Sequence, residues 1–219
     1  LCSFASCKKL TIKAADIRNA YFNAEALDRL LLLRPPTGGL PGIDNNEKYA
    51  IAARVPIYGT QDAGRQFYKK FRKVATTCGL SECRSLKSFY YLQVDGDLKV
   101  ILAAHVDDLI WCCEEGYEDE VQKILNCFEL KKIEESKFRF CGREYSQDEE
   151  MSIKVTCKDN TEKILPINFK KNGRRLEDKA TDGEIAQMRS VVGSLAWIAR
   201  QVRPELCYHT SKMQSVVGS

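Results

Sequence analysis

Lys99-Val100-Ile101-Leu102-Ala103-Ala104-His105-Val106-Asp107-Asp108-Leu109-Ile110-Trp111-Cys112 decides how this chain of 219 residues is read. Two adjacent carboxylates interrupt a run that is otherwise apolar and strand-like. A buried ionised Asp is costly unless it is paired or bound to a metal. Two side by side also repel each other, so one must take up a proton or a cation must neutralise both. Two readings stay open at this point. The pair is solvated at the tip of a tight turn between buried strands, or it belongs to a site built for a cation.

Outward from the turn, Leu98 to Ala104 and Leu109 to Cys113 read as strands. Phe89 to Val94 precedes them across Asp95-Gly96, a dipeptide that favours a tight hairpin. Three consecutive strands therefore form a meander with the carboxylates at its second turn. Far upstream, Leu10 to Ile17 reads as a strand ending at Asp16. Asn23 is placed to cap a helix over Glu25 to Leu33, and Leu30 to Leu33 equally suits a strand. Pro35 to Gly42 is a loop and Tyr49 to Val55 a further strand.

Ala63, Phe67, Phe71, Val74, Ala75 and Cys78 recur at helical spacing, with Gly79 placed to end the helix. Its other face carries Arg65, Lys69, Lys70, Arg72 and Lys73, either a solvated face or a contact for phosphates. Glu118 to Phe128 reads as helix, Phe138 to Tyr145 and Met151 to Val155 as short strands. Residues 158–182 are polar and basic (Lys163, Lys170, Lys171, Arg174, Arg175), a mobile insertion or a contact surface. Glu184 to Val202 is an amphipathic helix stopped before Pro204.

At 44% hydrophobic and 29% charged, with a net charge of +4, the composition is that of an ordinary globular protein. The mild charge suits a phosphate-rich partner without demanding one. The ten Cys contain no Cys-x-x-Cys pair and only His105 and His209 supplement them, which argues against a structural zinc site and for a reducing, intracellular compartment. No secretory signal and no apolar stretch of about 18 residues is present, so no membrane partner is expected. A chain that opens at Leu1 reads as a piece of a longer protein.

Three carboxylates at strand ends, Asp16, Asp107 and Asp108, suit two Mg²⁺ ions, because hard divalent cations prefer carboxylate oxygens. Such a pair of ions serves an in-line displacement at phosphorus. The spacing makes this plausible and not specific.

The segments themselves narrow the choice. Asp16-Ile17-Arg18-Asn19-Ala20-Tyr21-Phe22-Asn23 resembles the first catalytic motif of reverse transcriptases of copia-type LTR retrotransposons. Tyr58-Gly59-Thr60-Gln61-Asp62-Ala63-Gly64-Arg65-Gln66-Phe67 is similar to that family's Y-G-L-K-Q-A-P-R-x-W segment. His105-Val106-Asp107-Asp108 resembles its Y-V-D-D box, and Phe140-Cys141-Gly142-Arg143-Glu144 its F-L-G-x-E segment. Arg189 to Trp197, with Arg203 to Tyr208, resembles the later R-S-x-V-G-S-L-x-Y and R-P-D-I-x-Y pair. The landmarks stand in family order over about residues 10 to 213.

The resemblance implies a catalytic set of Asp16, Asp107 and Asp108, which with the backbone carbonyl of Ile17 hold two Mg²⁺ (or Mn²⁺). It implies that Tyr21 lies under the incoming sugar and leaves no room for a 2′-hydroxyl, and that backbone N–H groups around Arg18 and Asn19 cradle the triphosphate. His105, Phe140, Cys141, Gly142, Arg65 and Lys69 are the implied primer and template contacts. At the second landmark Gln61 replaces a Lys and Asp62 a Gln, a change of charge expected to weaken nucleotide binding.

The implied fold class is α+β: a polymerase palm with an antiparallel sheet and packed helices, a partial thumb or connection, and fingers largely missing. The palm is expected over residues 1–156. A partial thumb or connection, with the basic insertion and the amphipathic helix, is expected over 157–219. The implied function is RNA-directed DNA polymerase within a copia-like Pol polyprotein. Its partners are a primed RNA or DNA template, dNTP, integrase and ribonuclease H, in a cytoplasmic virus-like particle or the nucleus. The alternative is an inactive or domesticated nucleic-acid-binding remnant. A hydrolase using paired carboxylates is disfavoured by the second and third landmarks standing in family order, and no nucleophile-elbow sequence makes a case for a Ser-His-Asp hydrolase. For shared metals the Asp16 carboxylate must lie about 4–7 Å from those of Asp107 and Asp108, with Tyr21 facing them.

Overall fold

A computed structural model describes residues 1–40, 50–168, 173, 175 and 179–217 of the chain. They divide into two compact units, residues 1–136 with 147–152 and residues 137–146 with 153–219.

The first unit is built on one antiparallel sheet. In chain order its elements are α1 (Cys2–Lys8), β1 (Lys13–Ile17), β2 (Leu31–Leu33), β3 (Ile51–Ala53), α2 (Ala63–Thr77), β4 (Ser81–Glu82), β5 (Phe89–Val94), β6 (Asp97–His105), β7 (Asp108–Cys113), α3 (Glu118–Leu125) and β8 (Leu130–Glu135). The six-stranded order is β4-β5-β6-β7-β1-β8, while β2 and β3 pair separately. The expected meander is the β5-β6-β7 portion. Asp95 and Gly96 both take positive φ at its first turn, as a two-residue hairpin loop requires.

Alternation along the strands sorts the two faces. Ala15 and Ile17 of β1, Val100 and Leu102 of β6, and Leu109 and Trp111 of β7 join Phe67, Phe71 and Ala75 of α2 and Val121, Ile124 and Leu125 of α3 in one core. The helical period over Ala63 to Cys78 thus marked a real core face, and Gly79 at φ 94 follows the helix end.

Several expectations change. Residues before β1 form α1. No helix follows Asn23; its side-chain amide donates to Arg18 O and Asn19 O, closing the 3-10 turn Ala20–Asn23, and Leu31–Leu33 extends as the alternative strand. Phe138 to Tyr145 is a hairpin rather than one strand, because Cys141 and Gly142 take φ 49 and 77 and reverse the chain.

In the second unit β9 (Lys137–Phe140), β10 (Arg143–Gln147) and β11 (Ile153–Thr156) form a sheet of order β11-β10-β9, followed by α4 (Lys158–Glu162), α5 (Asp182–Gln201) and α6 (Cys207–Val217). Phe138, Phe140 and Tyr145 are buried around the hairpin. Helix α5 begins two residues before Glu184 because Thr181 and Glu184 form a reciprocal cap, with Thr181 N–H donating to Glu184 Oε2 at 2.8 Å. Of the basic residues in 158–182, Lys170, Lys171 and Arg174 lie outside the described residues, as do Pro41, Gly42 and Tyr49.

Candidate active site

Strands β1 and β7 run antiparallel in the register Lys13↔Trp111 to Asp16↔Asp108. Asp16 and Asp108 are therefore direct cross-strand partners, and such partners project from the same face of a sheet. Their neighbours Ala15, Ile17 and Leu109 point into the core, so both carboxylates stand on the face away from α2 and α3. His105 is also paired with Asp108, across the β6–β7 turn, and is exposed.

Asp107 occupies that turn and is fixed through its backbone, since Ile17 N–H donates to Asp107 O at 2.8 Å. Val106 precedes it at φ 55, the one β-branched residue among the described non-glycine positions with positive φ. Branching at Cβ makes this conformation costly, and strain of this kind collects at functional turns. Val106 also packs against the core, which holds the turn in place.

Lys131 was not among the expected site residues. Its Nζ lies 2.8 Å from Asp16 Oδ1. That oxygen is itself buried and makes no aligned hydrogen bond. The contact with Asp16 holds the Lys131 ammonium above its ordinary pKa, with Asp107 and the Tyr58 phenol adding to the effect. A signal was present in Leu130-Lys131-Lys132-Ile133, where apolar alternation slips by one residue. There β1 and β8 pair Ala15↔Ile133 and Ile17↔Leu130, so Asp16 faces two residues of β8. This is a β-bulge, a device that re-aims side chains.

Arg18 is committed locally. Its guanidinium pairs with Glu129 Oε1 at 2.9 Å and its N–H donates to Glu129 O at 2.7 Å. That amide is therefore occupied, and does not face outward as a phosphate cradle requires. Asn19 takes φ 49 and caps the 3-10 turn that carries Tyr21. The Tyr21 ring packs on the core edge and against Tyr58, with centroids 4.8 Å apart, and Tyr58 meets Phe22 edge-on at 5.8 Å.

The basic face of α2 splits. Arg72 pairs with Glu82 at 3.0 Å and Lys73 with Glu25 at 3.6 Å, whereas Arg65 and Lys69 are exposed. Asp62, the acidic departure at the second landmark, is held by both Arg29 Nε and Nη2 at 3.0 Å, which lowers its pKa. Its charge is thereby balanced within the chain. A cavity of about 240 Å³ beside the turn is lined by Phe67, Tyr68, Lys87, His105 and Val106.

In the second unit the Phe140 side chain is buried and Cys141-Gly142 forms the hairpin tip. Gly142 O accepts from Asn160 Nδ2 at 2.9 Å, and a Cβ on Gly142 would stand 3.3 Å from the Trp197 ring. Only glycine fits this turn comfortably, on φ and on space alike.

The match to known families decides the assignment. Residues 1–172 match the family described as reverse transcriptase (RNA-dependent DNA polymerase). The chain belongs to that family. Its antiparallel sheets with packed helices are of the α+β class expected from the sequence. No curated protein matches the chain. Among solved structures it is similar to telomerase from Candida albicans in complex with a TWJ fragment of telomeric RNA. Identity is 11%, with 96% of this chain and 42% of that chain covered at a TM-score of 0.41. The chain spans about two fifths of the telomerase chain it matches.

For a divalent cation this reverse transcriptase domain supplies fitting donors. They are hard carboxylate oxygens, one of them buried with no aligned hydrogen bond, at strand ends fixed by backbone pairing. Among the described residues, no three acidic, Cys or His side chains yet converge on one point. The cation at Asp16 is the Lys131 ammonium.

Proposed function

We propose that the chain is the palm of a copia-like retrotransposon reverse transcriptase, which extends a primer 3′-hydroxyl with dNTP on an RNA or DNA template. One observation carries this reading: β1 and β7 set Asp16 opposite Asp108, while Ile17 N–H pins Asp107 O at 2.8 Å. Asp16, Asp107, Asp108 and the Ile17 carbonyl would hold two Mg²⁺, with Mn²⁺ as a substitute. When bound, these ions supply Lewis acidity at the attacking and leaving oxygens.

The chain's own residues supply position and selection. Tyr21, braced by Tyr58, crowds the ribose 2′ position and favours a deoxy sugar. Arg65 and Lys69, exposed on α2, meet nucleic-acid phosphates as positioning contacts. His105 flanks Asp108 near the primer end. Phe140, Cys141 and Gly142 form the proposed primer grip, which acts through the backbone of the hairpin tip because Phe140 is buried. In a Pol polyprotein this palm would work beside integrase and ribonuclease H segments, in a cytoplasmic virus-like particle or the nucleus.

A second reading, a nucleic-acid-binding remnant without turnover, is favoured by the Asp16–Lys131 pair and the unconverged carboxylates. Primer extension on poly(rA)/oligo(dT) with Mg²⁺, then Mn²⁺, separates the two. We expect extension by the unaltered chain. Asp107→Asn should cut it by at least about 10²-fold, as removal of an electrostatic transition-state stabiliser does. Template binding with no extension in either metal establishes the remnant.

A further inference from the structure

We propose that Lys131 is a resident counter-ion that holds Asp16 in a closed state and must swing away before a divalent cation enters. This rests on the metal-site reading above and adds to it a gate made by the chain itself.

Three features place the lysine there. The bulge between β1 and β8 sets two residues, Lys131 and Lys132, against the single residue Asp16. Lys132 is taken by Glu134 at 2.8 Å, whereas Lys131 is aimed across at Asp16 Oδ1 at the same distance. Asp16 Oδ1 is buried and makes no aligned hydrogen bond, so the ammonium is the charge that makes its burial tolerable.

The lock is one that can open. The Lys131 side chain is 58% exposed and that of Asp16 34%, so the ammonium can move into water while the carboxylate it leaves keeps partial contact with solvent. A half-exposed pair of this kind contributes little net stability. A divalent ion brings twice the charge to the same oxygen, with the Asp108 carboxylate on the same face and Asp107 on the adjoining turn. Lysine and metal therefore compete for one position, and removing the lysine must tighten metal binding.

Binding of Mn²⁺ to the full chain, read from the electron paramagnetic resonance signal of the free ion, tests this without any turnover. Lys131→Met should bind Mn²⁺ at least about threefold more tightly than the unaltered chain, from loss of a competing and repelling charge in a partly solvated site. Lys131→Arg, which keeps the charge, should stay near the unaltered value. Asp107→Asn should weaken binding in both backgrounds. Lys131→Gln serves as a second neutral variant, and thermal melting without metal checks folding.

The same mechanism predicts that Mn²⁺ accelerates modification of the Lys131 amine by an amine-reactive reagent, read by peptide mass spectrometry. Unchanged or weaker Mn²⁺ binding in both neutral variants, with Asp107→Asn still disruptive, overturns the lysine gate and leaves the metal reading standing. Mn²⁺ binding that ignores Asp107→Asn, or none in any variant, overturns both.

Discussion

Tyr90 is the largest fully buried side chain of the first unit, and its hydroxyl has no hydrogen-bond partner. The ring belongs there, packed on Phe71 at 5.5 Å beneath the sheet. The oxygen does not, and burial pushes its pKa well above the ordinary value. A buried hydroxyl left without a partner carries its full desolvation cost. Tyr90→Phe keeps the ring and removes that cost. We expect it to stabilise the chain by about 1 kcal/mol, read as a higher urea midpoint at constant slope. Destabilisation by a similar amount would mean that the hydroxyl has a partner in solution.

At the scale of elements, Glu82 joins three segments. On β4, with its side chain 6% exposed, it accepts from the Tyr68 hydroxyl of α2 at 2.8 Å and from Ser88 N–H ahead of β5 at 3.1 Å. Arg72 and Lys87 add positive charge at 3.0 and 3.7 Å. Burial alone would push the carboxyl up, but these hydrogen bonds and charges outweigh it and leave the pKa below its ordinary 4.5. A depressed folded-state pKa contributes stability that is present above the unfolded value. That stability is lost as pH falls through the folded one. Glu82→Gln should therefore cost about 1.5–3 kcal/mol at pH 7, the range for hydrogen bonds to a charged group. The gap between the two chains should narrow steadily once pH drops below 4.5. Urea midpoints that differ equally at pH 7 and pH 3.5 would remove the charge from the explanation.

Elements were legible where one local rule dominated. Helices α2 and α5 declared themselves by period, and the β5–β6 turn by Asp95-Gly96. The 3-10 turn after β1 was not legible, because Asn23 caps backward onto Arg18 and Asn19 instead of forward into a helix. The hairpin at Cys141 was hidden because a Cys at φ 49 is not a turn signal. Asp16 and Asp107-Asp108 stood out as charge among apolar neighbours. Lys131 did not, since a lysine in a charged strand looks solvated until the bulge register is known. Likewise Asp62 read as a burden on nucleotide binding, and only the fold reveals that Arg29 neutralises it.

Over the whole molecule the ten cysteines, all reduced, report on folding rather than on a framework. Cys7, Cys127 and Cys207 are exposed, while Cys112 lies in the sheet and Cys157 in the second unit, both buried. Burial pushes the Cys112 thiol up to about 12 and raises Cys157 as well. Alkylation requires the thiolate and access to it, so both effects act in the same direction. In the native chain iodoacetamide should modify Cys7, Cys127 and Cys207 first. Cys112 should react only through global opening of the first unit, and Cys157 only through opening of the second. In a urea titration followed by peptide mass spectrometry, the two buried sites report separately on the two units. One shared midpoint means that the units unfold together; two midpoints mean that each holds its own core. Rapid labelling of Cys112 without denaturant is incompatible with the complete burial of that residue on β7.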